Sequence, residues 1–186
     1  MKKLLIAALF SFAAMCAFAQ KSVNTAITDI EEDPTNGLEM TRCLFNEYYL
    51  AELTTHAKVT VTDSASVQKK INALKIPRGV KLSAKNVKAF CNAVKAKALC
   101  LVSMKRNVKN KSVDVVIRVI SADNKLLGSC KGVMKGIGDA GKLSAVLAAE
   151  SAAFVRAADK AAAPAGKKAV KAADAAGKVK KQAAKK

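Results

Sequence analysis

Lys58-Val59-Thr60-Val61-Thr62 alternates polar and apolar side chains, the period-two signature of a strand with one buried face. Val113, Val115, Ile117 and Val119 repeat it around Asp114 and Arg118. Between these stretches the period changes. Val87, Phe90, Cys91 and Val94 stand at i, i+3, i+4 and i+7 behind Ser83, a residue suited to cap a helix start. Val67, Ile71 and Leu74 mark a short helix after Asp63 or Ser64. Leu38 to His56 carries two adjoining stripes, Met40-Leu44-Tyr48-Ala51 and Phe45-Tyr49-Leu53. A stripe that wide suits a helix lying on a sheet.

Lys21 to Ile30 has strand composition, and Glu31-Glu32-Asp33-Pro34-Thr35-Asn36-Gly37 reads as a loop solvated by its three acids. Ala98 to Met104 is an apolar strand. Asn107 and Asn110 mark the turn after it, and Asp123-Asn124-Lys125 marks the next. Leu126 to Met134 closes a meander in which Gly128 and Gly132 are candidate twist or bulge positions. Gly136 to Gly141 is a joint before a last helix, Lys142 to Lys160. The predicted order is β-α-β-α-α-β-β-β-α. That is an α/β chain of the α+β mixed-sheet kind, with helices on roughly five strands. The apolar phase of each element predicts a core of Val23, Ile27, Leu44, Phe45, Tyr48, Val59, Val61, Val67, Ile71, Val87, Phe90, Val94, Leu99, Leu101, Val115, Ile117, Val119 and Leu147.

Both ends of the chain break this pattern. Lys2 and Lys3 precede an uncharged apolar run from Leu4 to Met15, and Ala17-Phe18-Ala19 is a small-x-small cleavage pattern. Residues 1–19 therefore read as a signal peptide cut between Ala19 and Gln20, leaving no membrane-spanning segment in the mature chain. Lipidation at Cys16 is the alternative, with Met15 in the place where a lipobox carries a small residue. Residues 20–156 form the single expected domain. Residues 157–186 hold thirteen Ala and nine Lys, with no apolar face to bury, and read as a disordered low-complexity tail.

Composition adds a sign to this outline. At 51% apolar and 25% charged the 186 residues can build a core, while 4% aromatic residues exclude an aromatic-lined sugar surface. The net charge is +19 and unevenly spread. Residues 21–63 are acidic, residues 64–156 strongly basic, and the tail adds Lys160, Lys167, Lys168, Lys171, Lys178, Lys180, Lys181, Lys185 and Lys186. Such a tail suits polyanions. Export directs it to anionic lipid or wall polymer rather than to nucleic acid, and the hairpin lacks the aromatic platform of RNA-binding sheets.

The mature chain keeps four cysteines, Cys43, Cys91, Cys100 and Cys130. An oxidising compartment permits two disulfides, with Cys100–Cys130 and Cys43–Cys91 the first pairings to test; four buried thiols are the alternative. Their spacing fits no zinc motif. His56, the single histidine, falls at a helix end and reads as a capping side chain. No Ser or Cys stands in a nucleophile frame, so no catalytic residue, metal ligand or cofactor is assigned.

Three segments carry a family likeness: HAKVTVTDSASVQKKIN (56–72), VKAFCNAVKAKALCLVSMKRN (87–107) and KSVDVVIRVISADNKLLGSCKG (111–132). In order and pattern they resemble the periplasmic domain shared by the curli-secretion lipoprotein, the TolB N-terminal domain and the outer-membrane activator of penicillin-binding proteins. Ala96-Lys97-Ala98 stands where that family carries Gly-Ala-Asp. The resemblance implies a non-enzymatic envelope adaptor that works by protein–protein contact. A polyanion- or nucleic-acid-binding protein, acting through its basic body and tail, is the competing reading.

Overall fold

The computed structural model describes residues 22–33 and 35–161. Cys16, Ala19, Gln20 and the lysines from Lys167 to Lys186 lie outside the described residues. The strands are β1 (Val23–Thr28), β2 (Val59–Val61), β3 (Ala98–Asn107), β4 (Ser112–Ser121) and β5 (Leu126–Met134). The helices are α1 (Glu39–Thr55), α2 (Ser64–Ala73), α3 (Ala84–Ala93) and α4 (Ala140–Ala161), with a short 3-10 turn at Ile137–Asp139. The sheet order is β2-β1-β3-β4-β5. β1 runs parallel to both of its neighbours, and β3-β4-β5 is an antiparallel meander. This is the mixed five-stranded sheet, in the element order, that the pattern predicts.

Two of the helices, α2 and α3, start on polar residues that cap them. Asp63 accepts the Ser66 N–H at 2.8 Å and Ser83 Oγ accepts the Asn86 N–H at 3.2 Å, each relieving an unpaired donor in a first turn. Both helices end on a left-handed lysine, Lys75 (φ 50°) and Lys95 (φ 55°). The next N–H groups, of Ile76 and Ala96, reach back to the Ile71 and Cys91 carbonyls, closing a Schellman cap.

The two faces of the sheet bury different sets. The front face packs Val23, Ile27, Cys100, Val102, Val115, Ile117 and Val119 under α1 and α4. The back face packs Ala26, Leu99, Leu101 and Ile120 against Val67 and Ile71 of α2 and Val87, Phe90 and Cys91 of α3. Strand alternation sends neighbouring residues to opposite cores. Most of the predicted core is buried, with three departures. Leu44 and Val61 are only partly covered, and Tyr48 is 46% exposed. The buried stripe of α1 is Arg42, Phe45, Tyr49 and Leu53, so Met40 and Tyr48 face out and Leu44 lies at the margin of the core. One helix can turn only one arc to the sheet, and Phe45 and Tyr49, stacked with ring centroids 6.0 Å apart, occupy it.

α4 crosses α1 through small residues. Ser144, Ala148, Ser151 and Ala152 are buried, and the Tyr49 hydroxyl meets Ser151 Oγ at 2.7 Å. The helix continues to Ala161, with Val155 and Ala158 buried and Lys97 paired to Asp159. The folded part therefore extends past 156, and the first residues assigned to the tail belong to α4. Ala148, Ala152 and Ala158 are buried in the front core, where a large side chain would not fit.

The glycines of β5 answer to α4 as well. A Cβ on Gly128 would lie 2.3 Å from the Phe154 ring, and one on Gly132 would lie 2.3 Å from Leu143 Cδ1. The expected bulge is found beside Gly128, where the register with β4 shifts between Val119 and Ile120; at Gly132 the pairing is regular. Gly128→Ala should destabilise the domain by about 1–3 kcal/mol through overpacking. Gly128→Ala combined with Phe154→Ala should cost less than the two single changes added together. Thermal unfolding of the four proteins checks this double-mutant cycle; strict additivity would show that the ring and the glycine do not constrain one another.

Candidate functional site

β1 stops at Thr28, paired with Leu101, whereas β3 continues to Asn107. Past Leu101, β3 has β4 on one side and no partner strand on the other. The acidic loop after β1 fills the start of that gap. Glu32 Oε1 accepts the Met104 N–H at 2.8 Å, the donor a longer β1 would have met, and its Oε2 accepts from Asn36 Nδ2 at 3.0 Å. Glu31 reaches the other way. Its Oε1 accepts the Leu82 N–H at 2.8 Å, and its Oε2 pairs with Arg118 on β4. Asp29 Oδ2 lies 2.6 Å from Nε of Arg42, a side chain buried in α1. Asp33 closes a local turn by accepting from the Thr35 N–H at 2.8 Å and Thr35 Oγ1 at 2.7 Å.

The expectation of a merely solvated loop is therefore corrected for Glu31 and Glu32. Each is partly buried and fastens a different layer to the sheet. Burial is the main influence on Glu32 and raises its pKa; the Met104 N–H and Arg42 oppose the shift without cancelling it. The Thr35 bonds hold Asp33 below the usual carboxylate range. The sequence offered one sign of this arrangement: Arg42 lies three and seven residues before Phe45 and Tyr49, on the buried phase of α1. A cation on an apolar phase beside an acidic loop calls for an ion pair.

These bonds border an uncovered half of the back face. α2 and α3 cover β1 and the start of β3, and the remaining back-face positions carry Ser103, Lys105, Asp114, Val116, Arg118, Ser129, Lys131 and Val133. Val133 is 56% exposed there, and Lys105, Ser129 and Lys131 are exposed with it. A shallow cavity of about 550 Å³ opens on this surface, with Glu32, Asp33 and Asn36 on one wall and Ser103, Lys105, Asp114 and Val116 on the floor. The surface runs out to β5, an edge strand nine residues long. An edge strand presents unpaired backbone donors and acceptors.

The four cysteines among the described residues are free thiols, Cys43 exposed and the others buried. Neither expected pairing is formed. Cys43 is on α1 at the front, while Cys91 is in the back core, with the sheet between them. Cys100 and Cys130 share the front face but sit on β3 and β5 with β4 between, about 10 Å apart across two strand spacings. A disulfide needs Cα atoms within about 7 Å. Burial pushes Cys91 up to about 11 and Cys130 up to about 12, and raises Cys100 also, so these three stay protonated at neutral pH. His56 is the C-cap residue of α1, where its backbone N–H bonds to the Leu53 carbonyl at 3.3 Å. Lys160 falls in the last turn of α4. Among the described residues no three His, Cys, Asp or Glu side chains gather where a metal could sit, and no helix is long and apolar enough to cross a membrane.

No family model matches the chain, and no curated protein does. Among solved structures it is similar to the LpoB C-terminal domain from Escherichia coli, at 14% identity and a TM-score of 0.44, over 64% of this chain and 87% of that one. The LpoB C-terminal domain from Salmonella enterica has 14% identity and a TM-score of 0.42, over 67% and 92%. The hypothetical protein CT253 from Chlamydia trachomatis has 14% identity and a TM-score of 0.43, over 73% and 99%. These likenesses assign no residue a role here.

The Glu32 shift has a definite sign. Its pKa in the folded protein lies above the unfolded value, so its contribution is full below about pH 4.5 and is lost as pH rises through the folded pKa. Glu32→Gln keeps an acceptor for the Met104 N–H and removes the titration. Melting temperatures from pH 4 to pH 8 should show the variant gaining on the parent as pH rises. A difference that stays flat across this range would contradict the assignment.

Proposed function

We propose that the chain is a non-enzymatic adaptor of the cell envelope that docks a protein partner on the open half of its sheet. One observation carries this reading: the front face is closed by two long helices, whereas the back face is left bare over the part that leads to the β5 edge. A sheet surface holding Val116 and Val133 between Lys105, Arg118 and Lys131 suits a mixed protein interface better than plain solvation. The carboxylates of Glu31 and Glu32 fix its border, so the surface is preorganised for docking.

Export is the second part of the proposal. Residues 1–19 act as the leader, with Ala19 and Gln20 flanking the cut, and the mature protein works in the periplasm, with or without a lipid on Cys16. The Lys-rich segment from Lys167 to Lys186, extending from Lys160, then serves as an electrostatic tether to anionic lipid or wall polymer. Each Lys near such a surface contributes about 1 kcal/mol, and the sum falls with salt as the Debye length shortens.

The two contacts separate by experiment. Val133→Lys faces Asp114 across the β4–β5 ladder and should leave the fold intact. It should reduce capture of the envelope partner about tenfold or more at both low and moderate salt, with the melting temperature unchanged. Truncation after Ala161 should leave melting and partner capture as they are. It should also abolish the salt-sensitive binding to anionic vesicles. A Val133→Lys protein that captures its partner normally would sink the docking surface. A truncated protein that still binds vesicles would sink the tether.

A further inference from the structure

A second concavity lies at the same end of the meander but on its front-face side, adjoining the docking cavity at Arg106, which lines both. It has a volume of about 450 Å³, within the usual range for small-ligand sites. Leu38 ahead of α1, Val113 on β4 and Met134 on β5 form its apolar floor, and Val108 and Ile137 extend it outward. Val108 is 79% exposed and Ile137 51%, large apolar side chains that solvent alone does not favour. The rim is cationic: Arg106, Lys111 and Lys135 line it, and no acid does. Asp139 lies nearby, but its carboxylate accepts the backbone N–H groups of Lys135 and Gly136. The wall also holds Ser112, which is 5% exposed and whose hydroxyl has no hydrogen-bond partner among the described residues. A buried hydroxyl left unpaired is costly, and a ligand oxygen would relieve it.

We infer that this groove binds an anionic single-chain amphiphile, with its hydrocarbon chain on the Leu38-Val113-Met134 floor and a carboxylate or phosphate head among Arg106, Lys111 and Lys135. The lining favours this occupant over a peptide. A peptide brings an amide every few ångströms, and each buried N–H and C=O needs a partner. The apolar floor offers none, whereas an alkyl chain asks for none. Charge excludes a cationic amphiphile by the same geometry. The inference goes beyond adaptor docking and does not depend on it.

The probe is dodecanoate below its micelle threshold, titrated into the mature chain and followed by amide chemical shifts. Dodecyl phosphate serves as the second head group and dodecyltrimethylammonium as the cationic control. Shifts from both anionic chains should cluster at Ser112, Val113, Lys135 and Ile137, and the cationic chain should leave those amides unmoved. Lys111→Glu with Lys135→Glu should weaken dodecanoate about tenfold or more, and Ser112→Ala should weaken it severalfold. Val108→Asp, at an exposed position that cannot disturb the core, should also weaken it. Shifts confined to the lysines of the tail would overturn the inference. So would equal binding of the cationic chain, or unchanged affinity in the Val108→Asp and double-lysine variants. An acidic apolar peptide that displaces dodecanoate from these amides at lower concentration would assign the groove to protein and overturn it as well.

Discussion

Two adjacent carboxylates hold the layers of this molecule in place. Glu31 ties the Leu82 segment of the back layer to Arg118 on β4, and Glu32 takes the Met104 N–H that β1 is too short to reach. The covered and open halves of the back face meet along this line. Without Glu32, β3 would leave a donor unpaired beside the cavity floor, a costly arrangement wherever water is excluded. Without Glu31, Arg118 would keep a partly buried charge with no counter-ion. The brace marks where the covered half of the back face ends, at the point where one carboxylate stands in for the next residue of β1.

Legibility in the sequence followed the physics of each element. The strands around Val59 and Val115 were readable because alternation is a property of the backbone and needs no knowledge of neighbours. The caps at Asp63 and Ser83 were readable for the same reason. α1 was harder, since two overlapping apolar stripes compete for one buried arc, and packing against Ser151 decides for Tyr49 over Tyr48. Gly132 shows the opposite limit. Its reason is Leu143 on a helix that begins several residues later, and no local pattern records such a contact. Cys43–Cys91 failed because secondary structure alone does not say which face of a sheet a helix lies on, and Cys100–Cys130 because β4 stands between β3 and β5.

The candidate surfaces were less legible than the fold. Acidic loops and basic faces have the same composition whether solvated or fastened, so Glu31 and Glu32 read as solvated. Only the early end of β1, an absolute position rather than a pattern, turns them into structural groups. The amphiphile groove has a comparable origin. Its floor combines residues 113 and 134 of the meander with residue 38 ahead of α1, which only the folded chain brings together. The lysine density of the C-terminal segment, by contrast, is plain in composition.

The placement of β1 has a consequence for how the chain acquires this structure. The earliest strand to be made lies between β2 and β3, and both partners are parallel and distant in sequence. The β3-β4-β5 meander pairs through short turns and can close on its own within a few tens of residues. Local pairing is fast and long-range parallel pairing is slow. Until residues near 101 have appeared, β1 can pair only with the three-residue β2, and its other edge stays open. The meander, once formed, offers β3 as the template for that open edge. The β3-facing edge of β1 is thus the strand edge whose partner is most distant in sequence, and an apolar edge that waits for its partner is a place where chains can join wrongly.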